Sequence, residues 1–463
     1  MFSMHLERSM FRSYDIRGLY SVEQLNEYSI YWIGRGLGAL FQKRKVDVCI
    51  TGCDAREYAE RMKESLIRGL TDSGIRVIDI GMATTPMGYF AQYHCKVGGL
   101  AFVTASHNPN GWCGIKLSSS LGDSFVESDL QELYSIIADG KWVDGKGKVE
   151  KKEIGKEYAA YTLSRQQEKK PLKIVANCRH GIAGRFAPAI LRQAGHTVIE
   201  QFCRVDYSYP RGDANPSLDA MMEELGAEVR AQKADVGFAF DADGDRLGVV
   251  DENGTIIYPD RTLLLLARPL LEKKKGAVVY DVKCSQVVED VVKAHGGKPV
   301  MCRTGYSFIK QKMKETGAVI AGERSGHFFI RESHYGYDDA ILAAIRLADT
   351  IIQSGKPLSS LVSSLPRYYT SPVYHAPCPS DQVKQEIMGK LAASLIAKYP
   401  QAIDIDGVRI PFDDGWGLVR VSSNLPVLVV VVEGRTPAAL VRIEWLFRQE
   451  LAAYPEVGEW HNG

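Results

Sequence analysis

The chain has 463 residues, 45% of them hydrophobic and 24% charged, with a formal net charge of +1. That length exceeds one ordinary core and fits about three domains at ~150 residues each, while the near-neutral charge gives no general attraction to nucleic acid or membrane, so neither is expected as a partner. Nine cysteines show no CxxC pair and no Cys/His ligand spacing, and Met1 to Arg12 is charged without an apolar run, which together predict reduced thiols, no secretory leader and a cytoplasmic location.

In chain order, short β-branched runs alternate with helical patterns, which predicts α/β units. The first unit reads as strand Val46–Thr51, helix Glu57–Ser73 stopped by Gly74, and strands Ile75–Ile80 and Leu100–Val103. The second reads as strand Leu172–Ala176, helix Arg185–Ala194 and strands Thr197–Glu200 and Val236–Phe240. The third reads as strand Ala277–Tyr280, helix Gln286–His295 and strands Pro299–Met301 and Val319–Ala321. These form a loose threefold repeat of related α/β units. The tail differs: a polar stretch Ser371–Asp381, helix Gln382–Ala397, strands Gly407–Ile410, Leu418–Val421 and Val427–Val432, and helix Pro437–Leu451. Strands and helices segregate there, so an α+β domain is expected. The run Pro426–Val432 is far short of the ~20 residues of a membrane helix and reads as a strand buried on both faces. The resulting divisions are 1–150, 151–255, 256–368 and 369–463, with Gly140–Gly155, Asn253–Asp260 and Pro366–Pro377 as candidate linkers.

Two stretches carry most of the chemistry. Thr104-Ala105-Ser106-His107-Asn108-Pro109 follows a predicted strand, where ligand sites of α/β units gather. Alone, Ser106 reads either as a turn-capping hydroxyl or as a phosphoryl acceptor. The pattern Gly-x-Ser-x-Gly is absent, which excludes a nucleophile elbow, and the adjacent His107 is expected to diverge from Ser106. Asp241-Ala242-Asp243-Gly244-Asp245-Arg246 places three carboxylates within five residues. They repel one another unless a cation lies among them, or else form a solvated acidic turn. An EF-hand is excluded because Arg246 takes the glycine position and Leu247–Val250 reads as a strand. A serine beside a hard cation, Mg²⁺ by default, suggests phosphoryl transfer.

Three further loops are weaker alone. Gly322-Glu323-Arg324-Ser325-Gly326-His327 is a glycine-rich turn or a reader of sugar hydroxyls. Arg420-Val421-Ser422-Ser423-Asn424 is a polar hairpin or a phosphate grip. Near the start, Arg17 either steers a phosphate or pairs with Asp15.

Taken together, Tyr14–Gly18 (YDIRG), Thr104–Pro109 (TASHNP), Asp241–Arg246 (DADGDR), Gly322–His327 (GERSGH) and Asp414–Asn424 (DGWGLVRVSSN) resemble the α-D-phosphohexomutase superfamily, specifically its bacterial phosphomannomutase/phosphoglucomutase type, essentially end to end. The resemblance implies four domains around a central cleft, three related α/β units with mixed sheets and a C-terminal α+β domain, for which a monomer suffices. It implies that Ser106 carries the phosphoryl group and that Asp241, Asp243 and Asp245 hold Mg²⁺ with the phosphorylated Ser106. Arg17, Lys116 and Arg246 then lie near the transferred group, with Lys116 the expected general acid or base. Glu323 and Ser325 read sugar hydroxyls with His327 nearby; Arg420, Ser422, Ser423 and Asn424 hold the non-reacting phosphate; Tyr14, Lys283 and Tyr306 contact substrate. The implied reaction interconverts hexose 1-phosphate and hexose 6-phosphate, of mannose and/or glucose, through glucose or mannose 1,6-bisphosphate. Two departures stand out. Tyr306 follows Thr304-Gly305 where relatives often have histidine, which reopens the acid/base assignment, and Asn424 stands where many have threonine. A phosphoglucosamine-type mutase, a metal-dependent phosphatase and a non-catalytic sugar-phosphate binding protein are the alternatives.

Overall fold

A computed structural model describes residues 6–422 and 425–462. Four sheets follow one another along the chain. The first runs in the order Asp15–Leu19, Trp112–Ser120, Gly99–Val103, Val48–Cys53, Arg76–Met82, Val149–Lys151. Its three middle strands from Gly99 to Met82 are parallel, whereas Trp112–Ser120 returns antiparallel against Gly99–Val103 and pairs with Asp15–Leu19. Val48–Cys53 and Gly99–Val103 are buried throughout, as strands covered on both faces must be.

The second sheet is ordered Ile256–Ile257, Leu247–Asp251, Val236–Phe240, Lys173–Asn177, Thr197–Gln201, and the third Lys298–Cys302, Ala277–Asp281, Ile320–Gly322, Phe328–Ile330. Both mix parallel strands with one or two antiparallel edge strands. The fourth is antiparallel and built on Val427–Gly434, which is buried along its whole length under helices Asp381–Lys398 and Pro437–Ala452. No described helix is long and apolar enough to cross a membrane. All nine cysteines are free thiols.

Several stretches expected as linkers pair into sheets. Val149–Lys151, inside the candidate linker Gly140–Gly155, adds a parallel edge strand beside Arg76–Met82. Ile256–Ile257 pairs with Leu247–Asp251, and Tyr369–Thr370 and Tyr374–Pro377 pair with Val427–Gly434. Val149–Lys151, Tyr369–Thr370 and Tyr374–Pro377 have partners remote in sequence, so no local period announces them, and Ile256–Ile257 is too short to show one.

An aromatic cluster joins the first three units. Tyr93 and Tyr161, from helices Thr85–Cys95 and Gly155–Leu163, stack on Tyr335 at 4.1 and 5.3 Å. His334 packs edge-on against Tyr337 at 4.3 Å, with its Nδ1 2.9 Å from the Tyr161 hydroxyl. Such ring pairs add to simple area burial. Between the third and fourth units, Arg409 lies flat on Trp416 and donates to the carbonyls of Val282 and Cys284.

Candidate active site

Strand Gly99–Val103 ends on Thr104, and Ser106 follows with φ of 51°. That left-handed backbone is costly for a residue with a Cβ and needs support from its surroundings. Two residues of the turn after Val48–Cys53 supply it. Asp54 Oδ2 accepts from Thr104 Oγ1 (2.9 Å) and the Ala105 N–H (3.1 Å). The Arg56 guanidinium donates to the carbonyls of Ser106 (2.9 Å), Asn108 (2.6 Å) and Pro109 (3.0 Å). Adjacent side chains do not diverge here: Ser106 Oγ lies 3.1 Å from His107 Nδ1, because the left-handed residue turns both to one side. Burial, with Arg246 and Arg17 adding to it, holds His107 well below the ordinary imidazole range, so the ring is neutral.

Strand Val236–Phe240 delivers the second loop, and Gly244 at φ 74° lets it fold back. Asp241, Asp243 and Asp245 are completely buried. One oxygen of each is used internally. Asp241 Oδ1 accepts the N–H groups of Asp245 (3.0 Å) and Arg246 (3.1 Å). Asp243 Oδ2 accepts from Thr85 Oγ1 (2.6 Å), Thr104 Oγ1 (3.1 Å) and Lys116 Nζ (2.9 Å), and Asp245 Oδ2 meets the same Lys116 ammonium. Of the other three oxygens, Asp241 Oδ2 and Asp243 Oδ1 are buried without a hydrogen-bond donor among the described residues, and Asp245 Oδ1 faces His327 Nε2. Carboxylate oxygens of the three residues lie within 4.8 Å of one another. Buried orphan acceptors call for an explanation, and convergent hard oxygens fit a small divalent cation. Leu247–Asp251 is indeed a strand, antiparallel to Val236–Phe240, so no EF-hand loop forms.

The charges around these carboxylates are strongly coupled. Burial and then Asp245 and Asp243 push Asp241 well above the usual carboxylate range. Burial would raise Asp245 too, but Lys116 and His327 outweigh it and hold it well below. Burial would lower Lys116, yet Asp243 and Asp245 outweigh it and keep the amine protonated far above its ordinary range.

The third unit closes over this centre. Arg246 forms a bridge with His327, and the Leu247 N–H donates to the Gly326 carbonyl at 3.0 Å. His327 Nε2 lies 3.3 Å from Asp245 Oδ1 and Nδ1 lies 2.9 Å from Glu323 Oε2. Burial opposes protonation of His327, but Asp245 leads the groups that overcome it and raise the ring to about 9. Glu323 also accepts the Gly305 N–H at 2.7 Å, and Ser325 Oγ is 3.0 Å from His327 Nδ1. Tyr306 is buried, with Tyr14 edge-on at 4.9 Å and the Lys116 ammonium 5.4 Å from its ring centroid. Arg17 pairs with Asp15 (2.6 Å) and also reaches Asn108 Oδ1 (2.8 Å). Lys283 stands 3.4 Å from Asp281, whose carboxylate accepts the Arg324 N–H and the Thr304 hydroxyl.

In the fourth unit, Arg420 Nε donates to Asp406 Oδ2 at 2.9 Å, and the same oxygen accepts the Thr304 N–H. Lys384 donates to the carbonyls of Ser422 and Leu425, both at 2.8 Å, which holds that loop from behind. Ser423 and Asn424 lie outside the described residues. The structure thus joins Ser106, Lys116, the three aspartates, Arg246, His327, Glu323 and Ser325 in one connected network, with Tyr306, Tyr14 and Arg17 beside it. Arg420 connects through Asp406 and Thr304. Sequence reasoning missed Asp54, Arg56, Thr85, Asp406 and Lys384. Of these, only Asp54-Ala55-Arg56 had a signal, opposite charges just after a strand.

Comparison with known proteins agrees along the whole chain. Phosphoglucomutase/phosphomannomutase alpha/beta/alpha domains I, II and III match residues 8–144, 156–254 and 258–369, and the C-terminal domain of the same family matches 379–448. A Neisseria gonorrhoeae phosphoglucomutase is 37% identical over 458 residues, 98% of each chain. A Pseudomonas aeruginosa phosphomannomutase/phosphoglucomutase is 37% identical over 449 residues, 97% of this chain and 96% of that one. The crystal structure of a phosphoglucomutase/phosphomannomutase family protein from Burkholderia thailandensis superposes with a TM-score of 0.90 at 33% identity, covering 98% and 99% of the two chains. The chain belongs to the phosphoglucomutase/phosphomannomutase family.

Proposed function

We propose that this chain interconverts hexose 1-phosphate and hexose 6-phosphate, of mannose and/or glucose, with Ser106 as the phosphoryl carrier and a bound hexose 1,6-bisphosphate between the two half-reactions. The observation that carries the reading is the junction at Asp243. Hydroxyls from the serine-bearing unit, Thr85 and Thr104, and the Lys116 ammonium all converge on one carboxylate oxygen of the second unit. This ties the serine loop to the carboxylate loop at one oxygen, which supports pairing a carrier hydroxyl with a cation site.

Asp241, Asp243 and Asp245, together with a phosphoryl oxygen on Ser106, are the residues that would hold Mg²⁺. When bound, the ion supplies positive charge where the transferring group accumulates negative charge. In the forward half-reaction the bond between Ser106 Oγ and phosphorus breaks as a bond from phosphorus to the sugar hydroxyl oxygen forms, and the proton lost by that hydroxyl is balanced by the one the released Ser106 Oγ takes up. In the second half-reaction the opposite phosphate of the bisphosphate returns to Ser106. Lys116, whose ammonium meets Asp243 and Asp245, is the cation beside the transferring group and the general acid or base. His107 Nδ1, 3.1 Å from Ser106 Oγ, is placed to accept the serine proton in the return step. Arg246 offsets developing charge. Glu323 and Ser325 read hydroxyls, with His327, Tyr14, Lys283 and Tyr306 around the sugar. The loop from Arg420 to Asn424 grips the distal phosphate, whichever end of the sugar carries it.

The test is a coupled assay with mannose 1-phosphate and glucose 1-phosphate, Mg²⁺ and trace hexose 1,6-bisphosphate. Formation of 6-phosphate with little free phosphate is expected, and the two rates rank the sugars. Free phosphate alone would make the protein a phosphatase. Ser106→Ala is expected to fold normally, carry no covalent phosphate and lose turnover; activity retained in that variant would sink the reading.

A further inference from the structure

The turn between strand Val48–Cys53 and helix Ala59–Asp72 holds the serine loop from two sides. Asp54 takes the hydrogens on one side of the serine loop, and Arg56 takes the three carbonyls on the other. Arg56 is buried, 3% exposed, and its guanidinium sits 5.2 Å from the ring of Tyr209 in the second unit. The segment bearing Tyr209, residues 202–216, touches both halves of the site. The Tyr207 carbonyl accepts from Asn110 of the serine loop at 3.2 Å, and the Ala214 carbonyl accepts the N–H of Ala242, between two of the three aspartates, at 3.1 Å.

We propose that Arg56, backed by Tyr209, is a positioning residue that keeps Ser106 in register with the three carboxylates across the boundary between the first two units. The inference rests on the reading of Ser106 as phosphoryl carrier. A guanidinium presents five donors in a rigid fork and spans three carbonyls at once; an ammonium of the same charge does not. The left-handed backbone at Ser106 makes that support necessary. Because Arg56 hydrogen-bonds the loop backbone and, among the described residues, none of the substrate-binding loops, its loss misplaces the reacting hydroxyl without removing a substrate contact.

The experiment compares Arg56→Lys with wild type in the full chain, reading kcat, KM for hexose 1-phosphate, the melting temperature and amide exchange of the 104–110 segment. A displacement of the reacting atoms on the order of 1 Å costs about 100-fold, so kcat is expected to fall about that much while KM stays within about threefold. Exchange in 104–110 is expected to quicken, while helix Asp219–Gln232 exchanges as in wild type. Should Arg56→Lys not fold, Tyr209→Ala is read instead, with kcat expected to fall about tenfold and Tyr209→Phe, which keeps the ring, restoring it. Unchanged kcat and unchanged loop exchange in the folded variant overturn the proposal, as does a loss of kcat that only tracks the unfolded fraction. A wild-type protein without mutase turnover would overturn the functional reading instead, and the exchange of the loop would still decide the role of Arg56.

Discussion

Asp241 and Asp243 each divide their oxygens, one to the protein and one left over. Asp243 shows the consequence most sharply, because its used oxygen already serves Thr85, Thr104 and Lys116. Asparagine has one acceptor oxygen where aspartate has two. Asp243→Asn therefore gives up either the junction with the first unit or a cation ligand. The Mg²⁺ concentration for half-maximal activity is expected to rise at least about tenfold, as measured by metal titration; an unchanged titration would remove Asp243 from the ligand set. The three aspartates were legible in the sequence because their alternation is local. Thr85 was not, since nothing near it indicates a partner in another unit. His107 was misjudged for a backbone reason: the rule that neighbours diverge assumes ordinary φ, and Ser106 does not have it.

Elements show the same division between local and remote causes. Helix Ala59–Asp72 was expected as Glu57–Ser73, whereas helix Glu27–Lys43, on which it packs, was not assigned. Gly34, Gly36 and Gly38 lower its local propensity, and only tertiary contact explains them. A Cβ on Gly34 would meet the Leu66 carbonyl at 2.6 Å, and one on Gly69 of the facing helix would meet the Tyr31 carbonyl at 2.2 Å. The helices touch backbone to backbone. Gly69→Ala gains helix propensity but overpacks this contact, and the second effect dominates because a carbonyl cannot rotate away. A net loss of about 1–3 kcal/mol is expected, read as a lower denaturant midpoint; a stabilised variant would mean that the helices separate at no cost. The strands inside the first and last expected linkers were hidden for a related reason, since pairing with a distant strand leaves no period of its own.

At the scale of the whole molecule, the alternation of units and the different tail were readable from order alone, but the surfaces that join them were not. The cluster around Tyr335 draws its rings from three separate parts of the chain. Its stability has a pH signature. Burial, reinforced by Arg165, pushes His334 down to about 3, while the ring in an unfolded chain protonates near about 6.5. Between those values the unfolded chain takes up a proton that the folded chain refuses. This contribution is thus complete above about pH 6.5 and is lost as pH falls toward about 3. His334→Gln, which cannot become charged, is expected to lose less melting temperature than wild type between about pH 7 and about pH 5; parallel curves would show that another group sets the acid limit.

Synthesis proceeds from the amino end, and domains tend to fold in that order. The hydroxyl of Ser106 is therefore made, and its loop shaped by Asp54 and Arg56, before Asp241, Asp243 and Asp245 exist to charge the site. On the proposed function, a nascent first unit holds the phosphoryl carrier without the means to use it. Reactivity becomes a property of docking, acquired when the second unit sets its carboxylate against Thr85 and Thr104.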